Sequence, residues 1–399
     1  MGRPRTPALL IAAVAAVATL APSADASLAT RLTSALRGSG ASRTGVLAVS
    51  LGNGGNVYGR HAGRSLRPAS NEKLTVALAA LDRLGPGFRI PTYVLGSGRR
   101  AGSVWIGSLV LKGFGDPTLS RADLRVLARR IRDSGITRVT GRVLGDESYF
   151  DRVRTAPGWK PSYFRLECSP LSALMVDEGM IGPFTVYDPA RVAASQFSAA
   201  LGRAGVTVAH RPRKGRAGAT AVPLASVTSP RLVSIVRRMN KASDNVIAEM
   251  LLKELGAVKR GHGTTAAGAG VVRRVLGERG VPLRGVRIVD GSGLSDYDRL
   301  TARAIAALLI SAWSDPVVAQ PLYRSLAIAG VDGTLDDRMR SGPARGTVRA
   351  KTGTTLRASA LSGFVGTRYV FSILMNGNPV PVYSARAAQD RFAQVLAAG

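Results

Sequence analysis

The chain has 399 residues, 55 of them Lys or Arg against 25 Asp or Glu, for a formal charge of +30. That length is too great for one simple core, so at least two domains are expected. The single cysteine, Cys168, excludes an internal disulfide and a cysteine-based metal site, and His61, His210 and His262 are scattered without ligand spacing.

Residues 1–26 carry Arg3 and Arg5, an apolar run over 8–20, and then Ser23-Ala24-Asp25-Ala26, with the small-x-small ending of a cleavage site. This reads as a secretory signal peptide cut after Ala26, which makes the protein exported and extracytoplasmic. Residues 46–51 and 57–59 flank the turn Gly52-Asn53-Gly54-Gly55-Asn56 and predict a β-hairpin. An apolar helical run over 74–84 follows. Between 90 and 223 the texture shifts to short glycine-broken strands, at 104–111 and 138–144, with one basic helix over 122–134. Helical pattern returns over 232–255 and 301–313, followed by strands at 360–365 and 369–375 and a terminal helix over 384–397. The expected division is a signal peptide (1–26), a first domain part (27–92), an inserted mostly-β or mixed domain (93–224) and a second part (225–399). The fold class is α+β.

Chemistry concentrates in three short tracts. Pro68-Ala69-Ser70-Asn71-Glu72-Lys73 opens the 74–84 helix, and a three-residue spacing on a helix puts the Ser70 hydroxyl and the Lys73 amine on one face. Only eight of the 55 basic residues are lysines, and serine stands three residues before a lysine once, at Ser70. Lysine can lose its proton when buried, whereas arginine in practice does not. A helix start also supplies unpaired N–H groups for a developing oxyanion. Ser243-Asp244-Asn245 lies ahead of the next helix, and Lys351-Thr352-Gly353-Thr354 lies on an alternating strand where glycine permits close approach to the backbone. Taken singly, each has an ordinary structural explanation: Ser70 as a helix cap, Ser243 or Asp244 as another.

Taken together and in this order, Ser-x-x-Lys, Ser-x-Asn and Lys-Thr-Gly are the signature of penicillin-binding proteins and serine β-lactamases. Further tracts, among them Asp290-Gly291-Ser292-Gly293-Leu294-Ser295 and Gly330-Val331-Asp332-Gly333-Thr334, narrow the likeness. The chain resembles the D-alanyl-D-alanine carboxypeptidase/endopeptidases of the type-4, class C low-molecular-mass penicillin-binding proteins. The resemblance implies a transpeptidase/β-lactamase-like domain, an antiparallel sheet flanked by helices, assembled around the insertion. It implies Ser70 as nucleophile, Lys73 as its base, Ser243 as proton relay and Asn245 as orienter of Lys73. Lys351, Thr352, Gly353 and Thr354 would bind the substrate's terminal carboxylate, and the N–H groups of Ser70 and Thr354 would hold the oxyanion. The partners implied are peptidoglycan stem peptides and β-lactam antibiotics, with no metal or organic cofactor. In the tract Gly145-Asp146-Glu147-Ser148-Tyr149-Phe150, Asp146 is a candidate for the amine-bearing third residue of the stem peptide; a polar turn is the alternative.

The charge excess then has two open readings, an arginine-rich solvated surface or attraction to anionic cell-wall polymers. Nucleic acid is disfavoured, because the basic run 211–216 has no interleaved aromatic residue. Alternatives from other classes are a serine β-lactamase-like hydrolase and a non-catalytic wall-binding protein. An α/β-hydrolase is disfavoured by the absence of Gly-x-Ser-x-Gly.

Overall fold

The computed structural model describes residues 24–399, so the expected leader falls outside the described residues but for its last three. Helix α1 (Ala24–Ala35) leads into the predicted hairpin, β1 (Arg43–Ser50) and β2 (Asn56–Arg60). A tight turn over Ala69–Glu72 then runs without a break into α2 (Lys73–Leu84), whose residues from Lys73 to Leu81 are all buried. Such a helix, apolar on every side, belongs at the centre of a molecule.

The middle of the chain begins with β3 (Pro91–Ala101) and β4 (Val104–Gly113). Next come α3 (Arg121–Asp133), held at its start by a capping box between Ser120 and Asp123, and β5 (Arg138–Asp146). After one short helical turn, α4 (Tyr163–Leu166), and two two-residue strands, β6 (Met180–Ile181) and β7 (Phe184–Thr185), stands α5 (Pro189–Arg203). Asp188 caps α5, and Pro189 fits its first turn, where no N–H is needed. With β8 (Thr207–Lys214) and β9 (Val222–Thr228) a five-stranded sheet closes in the order β8-β5-β4-β3-β9. It is mixed: β3 pairs antiparallel with β4 and β9, while β4–β5 and β5–β8 are parallel. Parallel neighbours require crossovers, which α3 and α5 supply, and both helices pack on one face of the sheet over a core that includes Leu109, Val139 and Phe197. The sequence pattern led us to expect one helix here. Helix α5 was not anticipated because its buried stripe is mostly alanine, which carries little hydrophobic contrast.

The chain returns through α6 (Leu232–Ala242), α7 (Asn245–Arg260), α8 (Thr265–Glu278), α9 (Ala302–Trp313) and α10 (Ala319–Ser325) to β10 (Ala327–Ile328), β11 (Val348–Thr355), β12 (Ala358–Val365), β13 (Tyr369–Asn376) and α11 (Val382–Ala398). The helical pattern over 232–255 divides at Ser243, which adopts a left-handed conformation (φ 57°), and Asp244 caps α7 as the sequence offered. Helix α8 was also missed. Its glycines give it little apolar signal, and they serve packing instead: a Cβ on Gly268 would meet the Leu252 carbonyl oxygen of α7 at 1.9 Å.

Strands from both ends of the chain form one antiparallel sheet in the order β10-β11-β12-β13-β1-β2. On one face α2, α6, α7, α8 and α9 build a core that includes Leu78, Leu251 and Leu309. On the other, α1 and α11 cover Val46, Phe371 and Phe392. Helices thus flank the sheet on both sides, as the α+β reading expects. The Ser70 turn lies against β11 and β12, where sheet meets the buried helix.

Candidate active site

Ala69, the residue before Ser70, is buried and holds a left-handed backbone (φ 47°), a conformation that costs an alanine energy and persists where surrounding structure enforces it. The enforcing contact is β11. A Cβ on Gly353 would stand 2.9 Å from the Pro68 carbonyl and 3.1 Å from the Ser70 nitrogen, so only glycine lets this strand lie so close. The glycine expected to admit a ligand therefore first admits the Ser70 turn. Asn71 fastens the two, its Nδ2 donating to the Lys351 carbonyl at 3.3 Å.

One turn on, Lys73 is fully buried. Its Nζ lies 3.0 Å from Ser70 Oγ, and it donates to Asn245 Oδ1 at 2.7 Å and to the Ser292 carbonyl at 2.8 Å. Burial lowers its pKa to about 8, against the opposing pull of the carboxylates of Asp290 and Glu249. The prominent charges around Lys73 are acidic and work against the lowering, so burial alone carries it.

Asn245 opens α7, and its Nδ2 donates to the Glu167 carbonyl at 2.8 Å, which fixes the amide so that Oδ1 faces Lys73. Ser243, turned by its left-handed backbone, accepts from Lys351 Nζ at 2.9 Å. Lys351 is fully buried, and its ammonium also donates to the Thr352 carbonyl at 3.0 Å. Burial, and after it the neighbouring Lys73, pushes its pKa well below the ordinary lysine value. Thr352 Oγ1 meets Thr334 Oγ1 at 2.8 Å, and Thr354, exposed, accepts from Arg386 Nη2 at 3.0 Å. A cleft of about 460 Å³ is lined by Ser70, Ser243, Asn245, Thr352, Gly353 and Thr354.

Beneath Lys73 lies a buried acidic group. Glu249, one helical turn after Asn245, accepts from the Gly291 and Ser292 N–H groups at 3.0 and 2.8 Å. Asp290 accepts from Gly293 and Ser295, both at 2.7 Å, and from Trp159 Nε1 at 2.8 Å. These bonds shape the loop 290–295 so that the Ser292 carbonyl faces Lys73. Burial first and Asp290 second raise the Glu249 pKa to about 8. Among the described residues no cluster of His, Cys, Asp and Glu could hold a metal, and the three histidines lie on the surface.

A serine hydroxyl against a buried amine, with a second serine held by a second lysine, suits acyl transfer at an amide. The family model described as D-Ala-D-Ala carboxypeptidase 3 (S13) matches residues 24–186 and 182–398. The chain belongs to this family. The D-alanyl-D-alanine carboxypeptidase of Actinomadura sp. (strain R39) is 32% identical to this S13 chain over 443 aligned residues, covering 89% of it and 81% of the relative. A carboxypeptidase of Mycobacterium tuberculosis is 36% identical, over 76% of this chain and 68% of its own. The crystal structure of penicillin binding protein 4 from Haemophilus influenzae has the same fold, with a TM-score of 0.82 over 92% of this chain and 98% of that one at 22% identity.

Of the nine residues singled out in the sequence, this S13 chain brings eight together and leaves Asp146 elsewhere. Asp146 is buried at the end of β5, where it accepts from the Ser148 and Ala217 N–H groups, both at 2.9 Å, with Lys112 at 3.8 Å. Burial works against its charge, but those bonds outweigh it and hold its pKa below the usual value. It lines a separate hollow with Glu147, Lys214 and Arg216. Its backbone partners are those of the turn alternative. Four site residues were not singled out in the sequence: Asn71, Glu167, Glu249 and Arg386. Of these, Glu249 was findable, since it follows Asn245 by one helical turn in an otherwise apolar run. Ser292 had been quoted only as part of a distinguishing tract.

Proposed function

We propose that this serine-type carboxypeptidase cleaves the D-Ala-D-Ala bond of peptidoglycan stem peptides through an acyl-enzyme on Ser70. The observation that carries the reading is the buried Lys73 amine, 3.0 Å from Ser70 Oγ and lowered to about 8, because it can be neutral near physiological pH with the hydroxyl within reach. The Ser70 proton passes to Lys73 as Oγ attacks the carbonyl carbon between the two D-alanines. The Ser70 and Thr354 N–H groups hold the oxyanion, a contribution of roughly 3 kcal/mol per donor. Collapse breaks the C–N bond, and Ser243, backed by Lys351, relays the proton taken up by Lys73 to the leaving amine, which returns Lys73 to its neutral form. Water then hydrolyses the ester and frees Ser70. Asn245 orients Lys73, and Thr352, Gly353 and Thr354 line the strand along which the substrate lies.

β-Lactams enter the same cleft and acylate Ser70; the Haemophilus relative has itself been solved complexed with a β-lactam. On this reading the transpeptidase-like part, expected over 27–92 and 225–399, flanks the insertion. Because β3 starts at Pro91 and β9 ends at Thr228, we move the limits of the insertion to 91–228, which leaves 27–90 and 229–399 for the flanking parts. The protein acts outside the cytoplasm after removal of residues 1–26, and its excess of arginine favours residence against anionic wall polymers. Incubating the protein with purified stem pentapeptides and cross-linked dimers, and weighing the products, tests the reading. Loss of one D-alanine from the pentapeptide supports it, and cleavage of the dimer adds endopeptidase action. Both substrates intact contradict it.

A further inference from the structure

The cleft needs a positive charge for the free carboxylate at the end of the substrate, and the four cations around it are not equally available. Lys73 is surrounded by Ser70, Asn245 and Ser292. Lys351 is fully buried, its ammonium directed to Ser243 and to the Thr352 carbonyl. Arg338 is paired with Asp390, through Nη2 at 2.6 Å and Nε at 3.1 Å, and also reaches Gln389. Arg386 remains.

Arg386 projects from the second turn of α11 into the cleft wall, where Nη2 donates to Thr354 Oγ1. Asp390, one turn further along the same helix, is where an i, i+4 ion pair would ordinarily form, but Arg338 occupies it. Among the described residues Arg386 has no ion pair, although Asp336 and Asp337 line the same cleft, and its Nε is buried without a hydrogen-bond partner. A planar guanidinium with most of its donors unused matches a carboxylate in geometry as well as in charge. The Thr354 hydroxyl, accepting from Arg386, keeps its own proton free to donate to the same carboxylate.

We propose that Arg386, with the Thr354 hydroxyl it orients, binds the free carboxylate of the substrate's last residue and so sets the preference for peptides that end there. The inference rests on the DD-peptidase reading above. It divides the labour between two cations that the sequence motifs had placed in one: Lys351 holds the proton-relay serine, and Arg386 reads the chain end. Because the contact exists in the bound substrate as well as in the transition state, its loss should appear chiefly in KM.

The test compares an acyl-D-Ala-D-Ala peptide bearing a free C-terminal carboxylate with the same peptide as its C-terminal carboxamide. In the wild type kcat/KM favours the acid. In Arg386→Gln the acid-to-amide preference falls by about 30-fold, the worth of one charge-assisted pair, and Arg386→Lys recovers part of it. Thermal melting of each variant identifies misfolding. A preference equal to that of the wild type in a folded Arg386→Gln protein, with the two substrates slowed alike or not at all, overturns the assignment and returns the carboxylate to Lys351. A wild type that cleaves neither peptide but is acylated by penicillin overturns the DD-peptidase reading itself, and the Arg386 assignment with it.

Discussion

Lys351 Nζ donates to Ser243 Oγ at 2.9 Å, joining two of the three sequence tracts by one hydrogen bond between a fully buried amine and a serine that adopts a left-handed backbone. Removing the amine leaves a relay hydroxyl unsupported beside an empty volume. Lys351→Ala is expected to slow acylation of Ser70 by about 100-fold, the usual scale for losing one polar group from such a site. Lys351→Arg is expected to recover little, because the site is closed and a planar fork is larger than an ammonium. Stopped-flow acylation rates check both, and an arginine variant as fast as the wild type would show that Lys351 supplies only charge.

The pH dependence of acylation follows from Lys73. With its pKa lowered to about 8, the neutral amine that can take the Ser70 proton gains tenfold per pH unit below that value and saturates above it. Acylation kcat/KM should therefore climb from pH 6 and level off beyond about pH 8. A flat profile over that range would mean that the proton goes elsewhere.

Glu249 makes a separate prediction about stability. Burial raises its carboxyl from an ordinary 4.5 to about 8, and Oε2 has no hydrogen-bond partner. The folded chain thus holds a proton there that the unfolded chain gives up, so this contribution is complete below about pH 4.5 and is lost as pH rises towards 8. Glu249→Gln keeps an oxygen for the Gly291 and Ser292 N–H groups and cannot ionise. Its melting temperature should gain on that of the wild type between pH 5 and pH 8. A difference constant across that range would contradict the assignment.

Asp146→Asn should unsettle the inserted sheet and leave acylation alone. The substitution retains an oxygen for Ser148 or Ala217 but removes the charge facing Lys112, at a cost of about 1–2 kcal/mol. A lower melting temperature with an unchanged rate of penicillin acylation is the expected result. A selective loss of activity on peptides with a free side-chain amine would restore Asp146 to substrate binding.

What could be read from the sequence, and what could not, divides by how local the information is. Ser70 and Lys73 share one turn, so their spacing alone brought them together, and the hairpin was legible from its turn residues and the apolar run of β1. Helices α5 and α8 escaped because alanine and glycine pack closely without marking an apolar face. Arg386 lies 32 residues beyond Thr354, and only the fold of α11 against β11 brings them within hydrogen-bond distance. Asp146 shows the opposite limit: an acid among aromatics in a basic chain looks like a binding group, while its partners in the fold, two backbone N–H groups, leave no trace in composition.

The central claim is that the three tracts form one acylating site at Ser70. Intact-protein mass spectrometry after incubation with benzylpenicillin tests it most directly. A β-lactam carries a strained amide and a carboxylate in about the geometry of acyl-D-alanyl-D-alanine, and once it is opened its amine stays tethered where water would enter. The wild type should gain the mass of one penicillin and keep it through slow deacylation, and Ser70→Ala should gain none. A wild type that never acquires that mass, or a Ser70→Ala protein that acquires it equally, would contradict the account.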